Sequence, residues 1–477
     1  MKILFVASEA KPFITTGGLG DVIGSLPKTL SKTGNDVRVI LPKYKGIPKE
    51  YKDRMKELKY FYVNVGWRNQ YCDIEEIKMD NVTYYFVDNE YYFKRDNLYG
   101  YYDDGERFAF FDRAVLDTIK ELDWKPDIIH CNDWHCGMIP ALYKLEYIHD
   151  SFYSNIKLVY SIHNLLFQGI FPPEILPDLF GYDFEQYHNG ILKFNDGISF
   201  MKAGIYYADK VTTVSNTYAK EITTPSYGEN LDWILRERSN DLKGIVNGID
   251  YEEYNPETDK LIVKNYSAKS IKNKRENKIA LQKELNLVVN PDIPIIAVVS
   301  RLTHQKGIDL IINIADRLLQ KDVQLVILGT GDKYYEDHLE HLKKRYFHKV
   351  STNILFDSVL SHKIYAGADI MLMPSTFEPC GLGQLIALRY GTIPVVRETG
   401  GLKDTVHPYN EYDNTGNGFS FTNYYPNELL GILDYVLSVY DKKDRWEHLI
   451  KSAMESDNSW ENSALEYIKL YDELIEK

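Results

Sequence analysis

Cysteine is scarce in this chain, and none of it is paired by spacing. Cys72, Cys131, Cys136 and Cys380 form no C-x-x-C motif, so neither a disulfide framework nor a zinc site is indicated. They read as small buried thiols of a reducing compartment. Long apolar runs are missing too, and none approaches the ~20 residues needed to cross a bilayer. The opening Met1-Lys2-Ile3-Leu4-Phe5-Val6-Ala7-Ser8-Glu9 meets a carboxylate after a few apolar residues, with no small-residue cleavage site behind it. It reads as a first strand, and the chain as cytoplasmic. An excess of basic charge is also lacking: 56 Lys and Arg against 69 Asp and Glu leave a formal charge of −13. That excludes a nucleic-acid polymer as the main partner and a surface that depends on anionic lipid. Tyrosine, by contrast, is abundant at 38 residues, which suits stacking on sugar rings as well as ordinary packing.

At 477 residues with 44% apolar side chains, the chain divides into two or three domains with large buried sheets. Strand-like and helix-like segments alternate, which implies parallel α/β sheets. Strands are expected at 2–8, 36–41, 127–130, 157–162, 210–214 and 244–246, with a helix at 21–32. Residues 51–102, rich in Tyr, Asp and Asn, read as an antiparallel excursion or a long insertion. Between about 256 and 290 the rhythm lapses into a Lys/Asn/Glu-rich stretch read as an inter-domain connection. It resumes with strands at 295–300, 324–328, 353–356, 370–373 and 392–396, and 464–475 has the apolar spacing of a helix.

Two loops in the second half carry the most chemistry, Ser300-Arg301-Leu302-Thr303-His304-Gln305-Lys306-Gly307 and Glu378-Pro379-Cys380-Gly381-Leu382-Gly383-Gln384-Leu385. Each follows a strand and precedes a helix, the position at which ligands bind in open parallel sheets. The first supplies two cations for a diphosphate. The second supplies a carboxylate and backbone N–H groups for sugar hydroxyls. Near the amino terminus, Gly17, Gly18 and Gly20 let the backbone approach a phosphate at a helix start, and Asp21 would bind hydroxyls. The same turn partly mimics a dinucleotide fingerprint, but the second strand ends Leu41-Pro42-Lys43 without the acidic residue that would hold a ribose. A nicotinamide oxidoreductase is the weaker alternative on that ground. Asp103-Asp104 lies in a Tyr-rich loop, and no Asp-x-Asp motif follows a strand, so no metal ion or other cofactor is expected.

Taken together, Thr16-Gly17-Gly18-Leu19, the Ser300 to Gly307 loop, Glu378 to Leu385 and Arg397-Glu398-Thr399-Gly400-Gly401-Leu402 resemble the bacterial glycogen synthases and plant starch synthases. So do Asp133-Trp134-His135, His163-Asn164-Leu165-Leu166-Phe167-Gln168-Gly169, Thr224-Pro225-Ser226-Tyr227-Gly228 and Val246-Asn247-Gly248-Ile249-Asp250. Eight residues after Glu378 stands Ile386 in place of the second Glu of many other retaining two-domain transferases, sucrose synthase included, which favours the glycogen and starch synthase branch. The resemblance implies an α/β chain of two Rossmann-like domains facing across a cleft (GT-B), with a carboxy-terminal helix crossing back. Residues 1–260 would be the acceptor-side domain, 261–457 the nucleotide-sugar domain and 458–477 the returning helix. It implies transfer of glucose from ADP-glucose to the non-reducing end of an α-1,4-glucan with retention of configuration.

Carried over by residue, the resemblance makes Arg301 and Lys306 the diphosphate ligands and Glu378 the acceptor of glucose hydrogen bonds. The N–H groups of Cys380, Gly381 and Leu382 would line the sugar, and His163 would lie under it. Asn164 and Gln168 accompany His163. Asn247 would face the sugar or the attacking oxygen, Tyr99 would stack on adenine, and Asp133 and His135 would belong to the acceptor side. Two positions depart from the family: Thr15 stands where it has Lys, and Gly383 where it has Thr. Loss of one charged phosphate contact costs about 1.5–3 kcal/mol, or a shifted donor preference accompanies the change. A UDP-glucose enzyme and a non-catalytic glucan-binding homologue are therefore the alternatives, and a homo-oligomer is left open.

Overall fold

The computed structural model describes residues 1–476, which divide into two compact units. Met1–Val246 and the stretch from Trp460 onward form the first, and Asn247–Ser459 forms the second. No helix among the described residues is long and apolar enough to cross a membrane.

The first unit is built on a nine-stranded sheet of β1 (Lys2–Val6), β2 (Asp36–Pro42), β3 (Lys56–Val65), β4 (Arg68–Met79), β5 (Val82–Asp88), β6 (Ile128–Asn132), β7 (Lys157–Ile162), β11 (Lys210–Thr213) and β12 (Leu242–Gly244). A small antiparallel sheet joins β8 (Ile170–Phe171), β9 (Lys193–Phe194) and β10 (Gly197–Ser199). The main sheet runs in the order β12-β11-β7-β6-β1-β2-β5-β4-β3. From β12 to β5 it is parallel, and β4 and β3 extend it antiparallel. The expected antiparallel excursion at 51–102 thus ends in β5, which returns to the parallel register beside β2. Ile3, Leu4, Phe5 and Val6 are all fully buried, as a parallel strand covered on both faces requires. The helix Gly18–Ser31 buries Leu19, Val22, Ile23, Leu26 and Leu30, the spacing of one helical face, and packs on the helix Trp460–Ile475.

The second unit holds a wholly parallel sheet of β13 (Ile295–Val299), β14 (Gln324–Leu328), β15 (Val350–Asn353), β16 (Ile370–Met373), β17 (Ile393–Arg397) and β18 (Phe419–Phe421). Its order, β15-β14-β13-β16-β17-β18, is the doubly wound 3-2-1-4-5-6 arrangement, which reverses direction between β13 and β16. In the first unit the same reversal falls between β1 and β6.

Three expectations from the sequence are corrected. The strand expected at 353–356 is Val350–Asn353, because Leu355 and Phe356 are exposed while Thr352 and Asn353 are satisfied by the carbonyls of Leu339 and Ile327. The strand expected at 244–246 is Leu242–Gly244. The units divide at Val246/Asn247 rather than at 260, and the return falls at Trp460 rather than at 458. Ile249 N–H donates to the Asn458 carbonyl at 2.9 Å, and Asp259 accepts from Tyr390 Oη at 2.6 Å, so residues 247–260 pack within the second unit.

Residues 256–290, read as a connection, are also part of that unit's packing. Lys274 Nζ is buried and donates to the carbonyls of Tyr365 and Ala366 and to Thr392 Oγ1. Lys278 Nζ meets Asp369 at 2.7 Å. Lysine stems are apolar, and a buried ammonium is tolerated once its hydrogens are taken up; composition alone pointed to an inter-domain connection.

The returning helix is fastened to the first sheet through His130, whose Nδ1 shares a hydrogen bond with Tyr471 Oη (2.7 Å) and whose Nε2 shares one with Ser161 Oγ (2.6 Å). Tyr471→Phe should therefore lower stability by about 1–2 kcal/mol, read as a lower urea midpoint at unchanged slope. Burial, reinforced by His163, holds the His130 imidazole down at about 3, against ~6.5 in an unfolded chain. Its contribution is present above pH ~6.5 and is lost as pH falls toward 3. His130→Gln should consequently lose less stability than the parent between pH 7 and 5, measured by urea unfolding at both values.

Candidate active site

At the first reversal, the loops after β1 and β6 and the start of the loop after β7 converge. Asp133, just past β6, adopts φ 58°, a conformation that costs a non-glycine residue energy and clusters at functional positions. Its Oδ1 accepts the backbone N–H groups of His163 (2.8 Å) and Asn164 (3.4 Å), and burial pushes its carboxyl up to about 7. Asn132 Nδ2 donates to the carbonyls of Val6 and His130, which orients its Oδ1 toward His163 Nε2 at 2.9 Å. An amide oxygen only accepts, so His163 carries its proton on Nε2 and leaves Nδ1 as a lone pair. Burial holds the ring down at about 4, and the imidazole is neutral at neutral pH. Asp133, His163 and Asn164 thus form one assembly.

Tyr99 and His135 form another. Their ring centroids lie 4.3 Å apart, with Trp134 and Phe108 against the other sides of His135. Both His135 ring nitrogens are buried without a hydrogen-bond partner, and burial presses its basicity well below the ordinary histidine value. Its packing role is evident, since it supports the Tyr99 ring. Tyr99 Oη in turn bonds Ser8 Oγ at 2.8 Å. Beside them lies Glu9, a residue the sequence reading missed. Its carboxylate takes the backbone N–H and hydroxyl of Thr16, and burial raises its pKa. The clue was positional: Glu9 stands on the loop directly after the first central strand.

The glycine turn itself is open. Gly17 and Gly18 are exposed, and a Cβ on Gly17 would meet nothing within 4 Å. Gly20 is the sterically required one, because a Cβ there would overlap Thr15. Thr15 Oγ1 donates to the Gly17 carbonyl at 3.1 Å. The Asp21 carboxylate pairs with Lys11 Nζ at 2.6 Å, so the ammonium of this turn comes from Lys11. Gln168 stands apart from the His163 assembly: its Nε2 donates to the Glu229 carbonyl, while its Oε1 is buried without a partner.

In the second unit the loops after β13 and β16 are tied together by charge. Lys306 Nζ meets Glu378 Oε2 at 2.6 Å, and Ser375 Oγ donates to the same oxygen at 3.1 Å. The two side chains are only 16% and 7% exposed, so removing either would strand a charge in the interior at a cost of about 3–5 kcal/mol. Gly307 makes this approach possible. It has φ 73°, and a Cβ there would overlap the Pro374 carbonyl. Arg301 is exposed, and its guanidinium reaches Gln305 Oε1 at 3.4 Å. Gln305 holds the neighbouring loop, its carbonyl accepting Thr376 N–H at 2.9 Å. Arg397 Nη1 donates to the Thr376 carbonyl at 2.7 Å. Gln305, Ser375 and Arg397 position this loop and were not singled out from sequence.

Glu378, Cys380, Gly381 and Leu382 wrap over the start of the helix Gly383–Arg389. Gly400 and Gly401 lie directly beneath, for a Cβ on either would overlap the Glu378 or Cys380 carbonyl. The Gly401 N–H donates to the Glu378 carbonyl at 3.2 Å. Burial pushes the Cys380 thiol up to about 12, and the Asn247 backbone N–H bonds its sulfur. Cys380 is thus an inert packing group with no thiolate at neutral pH. Asn247 Oδ1 is buried without a partner. Gly383 has room: the nearest atoms to a Cβ there are Met373 Cε and Tyr365 Oη, at 3.4 Å.

Each unit therefore gathers its polar groups at the carboxyl edge, where its strand order reverses, and the comparisons agree with that architecture. Residues 2–237 match the starch synthase catalytic domain, and residues 281–452 match the glycosyl transferases group 1. The chain is 63% identical over 475 residues to a glycogen synthase of Clostridium botulinum (strain Alaska E43 / Type E3), covering 99% of each. It is 64% identical over 475 residues to a glycogen synthase of Clostridium perfringens (strain 13 / Type A), covering 100% of this chain and 98% of that one. The catalytic domain of Starch Synthase IV from Arabidopsis thaliana, solved bound to ADP and acarbose, matches with a TM-score of 0.93 at 32% identity, covering 100% of this chain and 99% of that one. Sucrose-phosphate synthase from Thermosynechococcus elongatus, at 18% identity and a TM-score of 0.62 over 100% of this chain and 99% of that one, shares the fold alone. With relatives this similar over their full length, the chain belongs to the glycogen synthase and starch synthase family, hexosyltransferases of the two-domain GT-B α/β class.

Proposed function

We propose that this chain transfers glucose from ADP-glucose to the non-reducing end of an α-1,4-glucan, with retention of configuration, in the cytoplasm. The observation that carries this reading is the Lys306–Glu378–Ser375 cluster at the reversal of the second sheet, a cation and a carboxylate held side by side where a sugar diphosphate needs both. Arg301 and Lys306 bind the diphosphate and stabilise the charge that grows on it as the bond to the sugar C1 breaks. Glu378 accepts hydrogen bonds from the glucose hydroxyls, and the Cys380–Leu382 turn lines the sugar. The acceptor oxygen attacks C1 on the face the diphosphate leaves, through an oxocarbenium-like ion pair. Its proton passes to the departing diphosphate oxygen, so the step needs no protein base and no metal ion.

Tyr99, Asp133, His163 and Asn164 are the first unit's candidate substrate-binding residues. His163 acts there as a neutral group, its Nε2–H committed to Asn132.

Release of ADP from ADP-glucose on adding glycogen, compared with release of UDP from UDP-glucose, tests the reading; a faster UDP reaction overturns the donor assignment, and no release with either overturns catalysis. Arg301→Ala, at an exposed position, should lower kcat/KM for ADP-glucose by about 10²–10³ while leaving glycogen binding and the urea midpoint unchanged. Lys306→Ala should lose at least as much activity and, unlike Arg301→Ala, should also lose stability, because Glu378 is left buried and unpaired.

The pH profile gives a second check. With His163 held at about 4 and Asp133 pushed up to about 7, any step of kcat near 7 belongs to the Asp133 carboxyl and should be absent in Asp133→Asn, while the His163 ring gains charge only as pH falls toward 4. A Cβ at Gly383 makes only ordinary contacts with Met373 and Tyr365, so Gly383→Thr tests the missing family hydroxyl. An added hydroxyl near the distal phosphate should lower KM for ADP-glucose about three- to tenfold, measured by initial rates at saturating glycogen.

A further inference from the structure

The glycine turn of the first unit departs from the family at Thr15, and the fold supplies what that residue lacks. A threonine hydroxyl carries no charge, and Thr15 Oγ1 already donates to the Gly17 carbonyl at 3.1 Å. The ammonium that the family places at this position is therefore missing from it. Folding of the preceding loop brings another one to the same spot. Ala10 and Ile14 form an antiparallel bridge, each N–H donating to the other's carbonyl at 3.0 Å. The chain between them doubles back, so Lys11 and Thr15 both lie against Gly20. The Lys11 N–H donates to the Gly20 carbonyl at 2.9 Å, and a Cβ on Gly20 would overlap the Thr15 side chain.

Gly24, one helical turn further along Gly18–Ser31, leaves room for the Lys11 stem, because a Cβ there would lie 2.8 Å from Lys11 Cβ. Set against Gly20 and Gly24, Lys11 sends its ammonium to Asp21 Oδ1 at 2.6 Å, with the two side chains 30% and 28% exposed. That pairing decides the charge of the turn. Asp21 alone would repel a phosphate from a surface on which Thr15, Thr16, Gly17 and Gly18 are exposed. An ammonium beside it cancels the carboxylate and stays within reach of a solute. It also holds a phosphate oxygen more strongly than a neutral hydroxyl does, through a charge-assisted hydrogen bond. A partly exposed ion pair contributes little to stability, so Lys11 is better placed to act on a solute than to hold the fold.

We propose that Lys11 is the substrate-binding ammonium of this turn, doing from position 11 what the family's lysine does from the position of Thr15, and that its ligand is the diphosphate of the nucleotide-sugar donor. The inference rests on the donor reading given above. It assigns the Thr15 departure to a relocated charge rather than to a lost contact, so no change of donor accompanies it. A glucan carries no charge, which leaves the anionic substrate as the one that loss of the ammonium affects.

The test compares the full-length parent with Lys11→Met, which keeps an unbranched stem and removes the charge, and with the double variant Lys11→Met/Thr15→Lys. ADP affinity is measured by calorimetry and KM by initial rates, with urea unfolding alongside. Lys11→Met should weaken ADP binding and raise KM for ADP-glucose by about ten- to a hundredfold. KM for glycogen and the urea midpoint should stay close to the parent's. The double variant should recover most of the lost ADP affinity, because the two positions serve one ammonium and are therefore coupled. An unchanged ADP affinity in Lys11→Met overturns the proposal. So does a loss that Thr15→Lys fails to restore, which would mean that Lys11 acts only through Asp21 and the shape of the turn. Should Lys11→Met also lose stability, the double variant still decides: recovered ADP affinity supports the proposal, and its absence overturns it whatever the midpoint. Absence of ADP binding by the parent overturns this inference together with the donor reading. Failure of the parent to transfer glucose while it binds ADP is a separate result, directed at the proposed reaction, because ADP affinity is read without turnover.

Discussion

Strand order imposes the constraint on which this structure depends. In each sheet one pair of neighbouring parallel strands, β1 with β6 and β13 with β16, sends its crossovers in opposite directions. The two outgoing loops must diverge, and the carboxyl ends of those strands are left uncovered. Backbone groups and short polar side chains at that edge cannot all be satisfied by the sheet. In the second unit the gap is bridged by Lys306 and Glu378, and in the first by Asn132, whose Nδ2 donates to the Val6 carbonyl at the end of β1, while its Oδ1 and the Asp133 carboxylate hold His163 on the other side of β6.

Both bridges depend on backbone that most residues would resist. Asp133 takes a positive φ to present its carboxylate to two N–H groups, and Gly307 takes one so that the Lys306 loop can rest against Pro374. The strain is retained because surrounding hydrogen bonds fix each conformation. Burial then sets the chemistry. It keeps His163 neutral, raises Asp133 and removes Cys380 as a nucleophile. The histidine that the resemblance places under the sugar is thus a fixed dipole in the fold.

Much of the architecture was legible because the pattern is strong. Central strands such as Ile295–Val299 and Ile370–Met373 are continuous apolar runs, and parallel burial on both faces produces that composition. Strand β15 was misplaced because, after Val350, its buried residues are Ser351 and Thr352, while Leu355 and Phe356 just beyond it are exposed. The lysine-rich segment 256–290 was misread because ammonium groups can be satisfied by carbonyls that only the folded chain supplies.

The sequence by itself determined the alternation of strands and helices, the two loops bearing Arg301, Lys306 and Glu378, and the family. Those rest on local spacing and on residue identities in fixed order, which survive without coordinates. Tertiary structure alone decided that Lys306 pairs with Glu378 across 72 residues, that Asp21 is engaged by Lys11, and that His135 supports Tyr99. Each of these depends on which strands become neighbours and in what register, a long-range property that no window of the chain contains.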